Sequence, residues 1–236
     1  MKWLERTELL IGKEKLEKLT RSHVLVAGLG GVGSWCAEML VRAGIGELTI
    51  IDGDVVNPSN RNRQLPALIS TEGMSKTDVM MARLKEINPD VILHPFRHFH
   101  NGDDFEVLMT QPFNYVVDAI DSLSPKVSLI VAAMQNGRPL ISSMGAGGKM
   151  APEQVQIADI SKSYHCKLAR MVRKRLTKFG IKKGFDVVFS PEPVHKSAVI
   201  QTRGEQNKKT TVGTISYMPA IFGMMAASKV IRELIK

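Results

Sequence analysis

The stretch Gly28-Leu29-Gly30-Gly31-Val32-Gly33 constrains this chain more than any other. It joins a β-branched run, His23 to Gly28, directly to a helical stretch, Ser34 to Ala43. Glycines let the backbone turn tightly in so short a span, and they let an anion such as a phosphate approach the N–H groups that open the helix. A second run, Glu47 to Asp52, follows as a strand. Alone, the turn points to a nucleotide without saying which one. Its bland alternative is a tight turn in a domain that binds nothing.

The strand–helix pattern continues. Ser75 is placed to cap a helix running to about Asn88, with Val79, Met80, Leu84 and Ile87 on one face. Val91 to Pro95, Tyr115 to Asp118 and Leu140 to Ser143 read as further strands. Ser124-Pro125 reads as N-cap and first turn of a helix ending near Gln135. Alternation over residues 23–143 predicts an α/β fold: a Rossmann-like, doubly wound, mostly parallel sheet with helices on both faces. Residues 4–20 predict one amphipathic N-terminal helix.

After Gly145-Ala146-Gly147-Gly148 the pattern changes. Val155 and Ile157 alternate with polar residues, as in a half-exposed antiparallel strand. Cys166 to Phe179 sets Leu168, Met171, Val172, Leu176 and Phe179 on one face and basic residues opposite. Val187 to Phe189 is a short strand, His195 to Thr214 a polar mobile loop, and Ser216 to Ile235 a closing helix. One domain over 1–236 is expected, with an N-terminal helix (1–22), a nucleotide-binding core (23–150) and an antiparallel C-terminal extension on the substrate side (151–236).

Composition narrows the classes. The chain is 44% apolar and 23% charged, which excludes a disordered chain, a collagen and a coiled coil. Two cysteines, Cys36 and Cys166, cannot supply a disulfide framework or a four-cysteine zinc site. Free thiols suit a reducing compartment, so a cytoplasmic location is expected. Met1 to Arg6 lacks the apolar core of a signal peptide, and the apolar run Met218 to Ser228 is too short to span a bilayer, so no membrane partner is expected. The net charge is +9, and Lys162 to Lys183 carries nine basic residues and no acidic one. Such a patch suits a polyanion, with Arg170, Arg173, Lys174 and Lys178 as first candidates and Lys196, Arg203, Lys208 and Lys209 as the next. A plain solvated face is the alternative.

Asp52 ends the second strand 19 residues after Gly33, where a carboxylate accepts hydrogen bonds from ribose hydroxyls. NAD is the first reading. The next segment argues against it, because Asn60, Arg63 and Gln64 place cationic and amide donors beside the nucleotide, and Lys76 follows on the first turn of a helix. A triphosphate needs such neutralisation; a nicotinamide does not. Asp54 belongs either to the site or to the brace of this loop. In Asp118-Ala119-Ile120-Asp121-Ser122, Asp118 reads as structural, and Asp121 as the carboxylate that can hold Mg²⁺. His98 and His100 have no ligand partners nearby in sequence.

In this order, GLGGVG, LTIIDGDVVNPSNRNRQ, GMSKTDVMMARLKEINP and VVDAIDS resemble the adenylating domain shared by ubiquitin-activating enzymes and the bacterial activators of sulfur-carrier proteins. That likeness runs from about Arg6 to Gly148. Within the family, GVGSWCAEML, DAIDSLSPK, GAGG followed by PEQVQIADISK, and VVFSPEPV look like the tRNA threonylcarbamoyladenosine dehydratase branch, over nearly the whole chain. The resemblance implies ATP and Mg²⁺ as cofactors, tRNA as substrate and a homodimer, with a sulfur-transfer protein as a further partner. It implies that Asp52 binds ribose, that Asn60, Arg63, Gln64 and Lys76 bind the triphosphate and that Asp121 binds magnesium. It also implies that Arg6 reaches into the neighbouring subunit's site. No zinc is expected, since the paired CxxC motifs of sulfur-carrier activators are missing, and no NAD. The rivals are activation of a small protein's C-terminal glycine, an NAD-dependent oxidoreductase and a non-catalytic tRNA-binding scaffold.

Overall fold

A seven-stranded sheet in the order β3-β2-β1-β4-β5-β7-β6 organises the computed structural model, which describes residues 2–98, 102–201 and 210–236. The strands are β1 (His23–Ala27), β2 (Glu47–Ile51), β3 (Ile92–Phe96), β4 (Tyr115–Asp118), β5 (Leu140–Ser143), β6 (Gln156–Asp159) and β7 (Asp186–Phe189). All pairs are parallel except β6 with β7. The interior strand β1 is buried along its whole length, which is why VLVA after His23 reads as an apolar run. Pro95 sits in edge strand β3, where a missing N–H breaks no inner ladder.

Helices cover both faces, as the alternation of elements requires. On one side α3 (Gly33–Arg42), α4 (Lys76–Ile87) and α8 (Tyr217–Leu234) contribute Cys36, Leu40, Met80, Leu84, Met218 and Phe222 to a core against Val24, Val26, Leu48 and Ile50. On the other, α5 (Gly102–Leu108), α6 (Leu123–Gln135) and α7 (Lys167–Leu176) bury Phe105, Leu129, Ile130, Val172 and Leu176 against Leu25, Ala27 and Val116. Ser75 caps α4 by accepting from the Asp78 N–H, as the sequence predicts. Among the described residues no helix is long and apolar enough to cross a membrane.

Five local expectations are corrected. The N-terminal helix is two, α1 (Glu5–Ile11) and α2 (Lys13–Thr20), because the chain leaves helical geometry at Gly12 with φ +84°. Helix α6 starts after Ser122 rather than Ser124, and Ser122 donates to the Asp121 carboxylate instead of capping. Phe179 is exposed, because α7 gives way to a 3-10 turn at Thr177 and the apolar stripe ends with Leu176. Segment 195–214 carries β8 (Val199–Gln201) paired antiparallel with β9 (Thr210–Val212), so it is not all loop. Arg203, Lys208, Lys209 and His100 lie outside the described residues. Arg173 folds back onto Ser163 instead of lying on the open face of α7. Helix α5 had no expectation.

Candidate nucleotide site

In an open α/β sheet the crevice for a ligand opens at the carboxyl ends of the strands, where the winding reverses. Here β1 lies between β2 and β4, so the reversal is at β1 and the turn that follows it. Gly28 has φ +90° and would place a Cβ 2.8 Å from the Ala119 carbonyl oxygen. Gly33 opens α3, and a Cβ there would lie 1.7 Å from the Gly28 oxygen. A side chain at either position would push the β1 turn off its neighbours. Gly30 faces Gln64, while Gly31 faces Pro219 of α8 and so contributes to packing. Ser34 holds the turn from inside, its hydroxyl donating to the Gly30 carbonyl at 2.6 Å.

Asp52 leaves β2 beside this turn. One carboxylate oxygen accepts the Leu29 N–H at 2.6 Å and the other accepts the Asp54 N–H at 2.8 Å. Burial pushes its carboxyl up, against the pull of Lys76 and the two backbone donors. Lys76, on the first turn of α4, is buried and donates to Asp54 at 2.7 Å, with Asp52 at 4.0 Å. Asp54 is therefore at once the brace of the loop and the anion against which Lys76 is stored.

Asn60 is buried, and its side-chain oxygen accepts the Asn57 N–H at 3.1 Å. Arg63 donates to the Ser59 carbonyl at 2.9 Å and to the Asn62 side chain at 2.8 Å. Burial lowers its guanidinium, and the Asp121 carboxylate opposes that shift. Arg63 and Asp121 thus face one electrostatic environment although 58 positions separate them. Gln64 holds a buried side-chain oxygen without a hydrogen-bond partner among the described residues. A buried polar atom left unpaired costs about 1–3 kcal/mol, so its position beside Gly30 suits a ligand-facing group. Asp121 is exposed. The glycine turn, Asp52, Asn60, Arg63, Gln64 and Asp121 follow the carboxyl ends of β1, β2 and β4, and Lys76 joins them from the first turn of α4.

Asp118 sits beneath that edge. It is fully buried and pairs with the fully buried Lys126 at 2.6 Å; Ser142 donates to the same carboxylate oxygen at 2.5 Å. Lys126 also donates to the Ser143 carbonyl at 2.9 Å, and the second Asp118 oxygen accepts the Ile120 N–H at 3.0 Å. The pair ties the turn that carries Asp121 to β5 and α6. Sequence reasoning missed Lys126; its only signal was a lysine inside the apolar face of a helix.

The extension has its own clamp. Lys149 donates to the Ser190 carbonyl at 3.1 Å and to the Glu192 carbonyl, and the Glu192 carboxylate accepts the N–H groups of Met150 and Ala151 at 2.9 Å each. Burial lowers Lys149, while Cys166 and Glu192 pull it back up. This ties the GAGGK segment to SPEP. Cys36 is fully buried, which pushes its thiol up and away from reactivity.

On the basic helix, Arg170, Lys174 and Lys178 are exposed. Arg173 is turned inward and is not part of that open surface. Its guanidinium donates to the Ser163 carbonyl at 2.9 Å and to the Ser163 hydroxyl, because α7 packs over the segment that follows β6. Arg6 is exposed on α1.

The sequence profile of the ThiF family matches residues 4–236, the whole of this architecture. The chain belongs to the ThiF family. It is 40% identical to the tRNA threonylcarbamoyladenosine dehydratase of Bacillus subtilis (strain 168), over 98% of this chain and 94% of that protein. Among solved structures, the E. coli tRNA N6-threonylcarbamoyladenosine dehydratase TcdA in complex with ATP superposes with a TM-score of 0.90 at 35% identity, covering 99% of this chain and 93% of that one. TcdA in complex with AMP superposes with a TM-score of 0.88 at 36% identity, covering 97% and 92%. The family placement agrees with the expectation drawn from the motifs, and the mixed sheet with one antiparallel edge strand agrees with the predicted fold class.

Proposed function

We propose that this ThiF-family chain is an ATP-dependent tRNA threonylcarbamoyladenosine dehydratase. The end-to-end likeness to TcdA in its ATP complex carries the proposal. The donor set supports it: a glycine cradle at a helix N-terminus, a buried carboxylate at the end of β2, and cationic and amide groups converging on one edge.

In this reading Asp52 accepts from ribose hydroxyls, while Arg63, Lys76, Asn60 and Gln64 hold the triphosphate. Lys76 exchanges Asp54 for phosphate oxygen at little cost, since both partners are anions. Asp121 is a carboxylate of the type that holds Mg²⁺, and the ion when bound neutralises charge on the phosphates. The threonyl carboxylate oxygen attacks the α-phosphorus and pyrophosphate departs, which leaves an acyl-adenylate. The carbamoyl group of the same nucleoside then attacks the activated carbonyl carbon. AMP leaves with the original carboxylate oxygen and a ring closes. The nucleophile is already part of the substrate, so proximity replaces a protein thiol. Arg63 supplies charge stabilisation where negative charge develops on phosphate.

The exposed cations Arg170, Lys174 and Lys178 position tRNA by phosphate contacts. A homodimer brings Arg6 to the partner's site; in support, the apolar Leu9 and Leu10 of α1 are 82% and 84% exposed. The test is AMP release from ATP with modified tRNA, unmodified tRNA and a sulfur-carrier protein in parallel. Release with modified tRNA alone, abolished in a folded Asp121→Ala variant, is expected. Release with the carrier protein alone overturns the tRNA assignment.

A further inference from the structure

The amino-terminal end of the sheet, opposite the nucleotide edge, holds a second polar cluster. His23 opens β1, Glu47 opens β2 and His94 stands in the middle of edge strand β3. The parallel register sets His23 beside Glu47 and Thr49 beside His94, and Glu47 and Thr49 share a face because they are two residues apart. All four side chains therefore project from one face. His94 Nε2 lies 2.7 Å from Glu47 Oε1, and His23 Nδ1 lies 3.5 Å from the same oxygen. One ligand atom from each of the three residues falls within 4.8 Å of the others.

We propose that His23, Glu47 and His94 bind a divalent transition-metal ion of the zinc class, at a site separate from the nucleotide. The chemistry of the set comes first. Two imidazoles and one carboxylate are a donor set that zinc takes together with a water in the fourth position. Nitrogen donors disfavour Mg²⁺ and Ca²⁺, which prefer oxygen throughout. The spacing agrees. With bonds of about 2.0–2.1 Å, tetrahedral zinc ligands stand roughly 3.3–3.4 Å apart. The His23–Glu47 separation is already 3.5 Å. The 2.7 Å His94–Glu47 contact opens by roughly 0.6 Å to reach that spacing, on a side chain that is 44% exposed.

The outer contacts agree as well. His23 Nε2 lies 2.8 Å from the hydroxyl of the fully buried Thr49. A proton donated there leaves the Nδ1 lone pair facing Glu47, as a metal-ligating histidine requires. Phe113 packs edge-on against the His23 ring at 4.7 Å, and the Asn114 side chain accepts the backbone N–H of His23 at 2.7 Å, which fixes the main chain that carries the ring. The two histidines are 71 positions apart, so no short spacing motif announces them. A bound ion would tie β1, β2 and β3 together across the ladder.

The alternative is a hydrogen-bonded ion pair with no metal affinity. Chelator-stripped full-length protein is titrated with Zn²⁺ by calorimetry without nucleotide, and with Co²⁺ by visible absorption. One ion per chain is expected, with the intense bands of tetrahedral cobalt and a higher melting temperature with Zn²⁺. His94→Ala and Glu47→Gln should each weaken binding at least about tenfold, with circular dichroism and ATP affinity unchanged. His195→Ala, an exposed histidine elsewhere, should bind as the parent does. No stoichiometric binding, or equal affinity in His94→Ala, overturns the proposal.

Discussion

Replacing Lys126 by Met tests the buried pair beneath the site. Methionine keeps an unbranched stem of similar length and removes the ammonium. Lys126 and Asp118 are both 0% exposed, and Lys126 also donates to Ser142 at 3.2 Å and Ser143 at 2.9 Å. The substitution strands the Asp118 carboxylate with one hydroxyl and one backbone donor. Removing one partner of a buried pair costs about 3–5 kcal/mol. Against a total of about 5–15 kcal/mol that is a large fraction. For a chain of this length each kcal/mol moves Tm by about 2–4 °C, so a fall of about 6–20 °C is expected. Urea melts of Lys126→Met, Asp118→Leu and the double variant form the cycle. The double variant should recover most of the loss, since apolar replacement of both partners is close to neutral. A single-variant loss below about 1 kcal/mol, or a double variant no better than the singles, refutes the reasoning.

Gly33→Ala drives a Cβ to 1.7 Å from the Gly28 oxygen, so thermal melts should show a loss of at least about 1–3 kcal/mol, and calorimetry a loss of ATP binding. Burial works to raise the carboxyl of Glu38, but hydrogen bonds from Arg83 at 2.5 Å and Arg42 at 2.9 Å outweigh it and hold the group below the ordinary range. Its contribution is therefore present above the unfolded pKa and lost as pH falls through the folded one, and Glu38→Gln should flatten the acid limb of a urea-midpoint profile. Reversing Arg170 and Lys174 to Glu should raise KM for tRNA, leave ATP affinity unchanged and reduce the salt slope of tRNA binding by about 0.9 for each lost phosphate contact; an unchanged slope assigns tRNA elsewhere. Mixed Arg6→Ala and Asp121→Ala subunits should regain activity that neither parent has, since one hybrid site would then be complete.

Much of the fold was legible because its signals are local. The strands β1, β2, β4 and β5 are short apolar runs, and the glycine turn cannot be built with side chains at Gly28 or Gly33. What failed to show depended on distant partners or on weak local signals. Helix α5 has seven residues and buries only Phe105 and Leu108, too few for a helical period to stand out. The β8–β9 ladder lies in a polar stretch whose pairing is decided across the segment. Arg173 shared the basic composition of its neighbours, and only packing over Ser163 turned it inward. The donors Asn60, Arg63, Gln64 and Lys76 were readable from residue type and spacing, whereas Lys126 and the His23–Glu47–His94 cluster exist only through register and burial.

In the proposed reaction this ThiF-family site activates a carboxylate so that the substrate's own carbamoyl group closes a ring. Mass spectrometry of nucleosides from threonylcarbamoyladenosine-containing tRNA, incubated with the protein, ATP and Mg²⁺, tests it most directly. The expected product is a nucleoside lighter by one water, formed in step with AMP and pyrophosphate and absent with Asp121→Ala. An unchanged nucleoside despite AMP release, or conversion that proceeds without ATP, would contradict it.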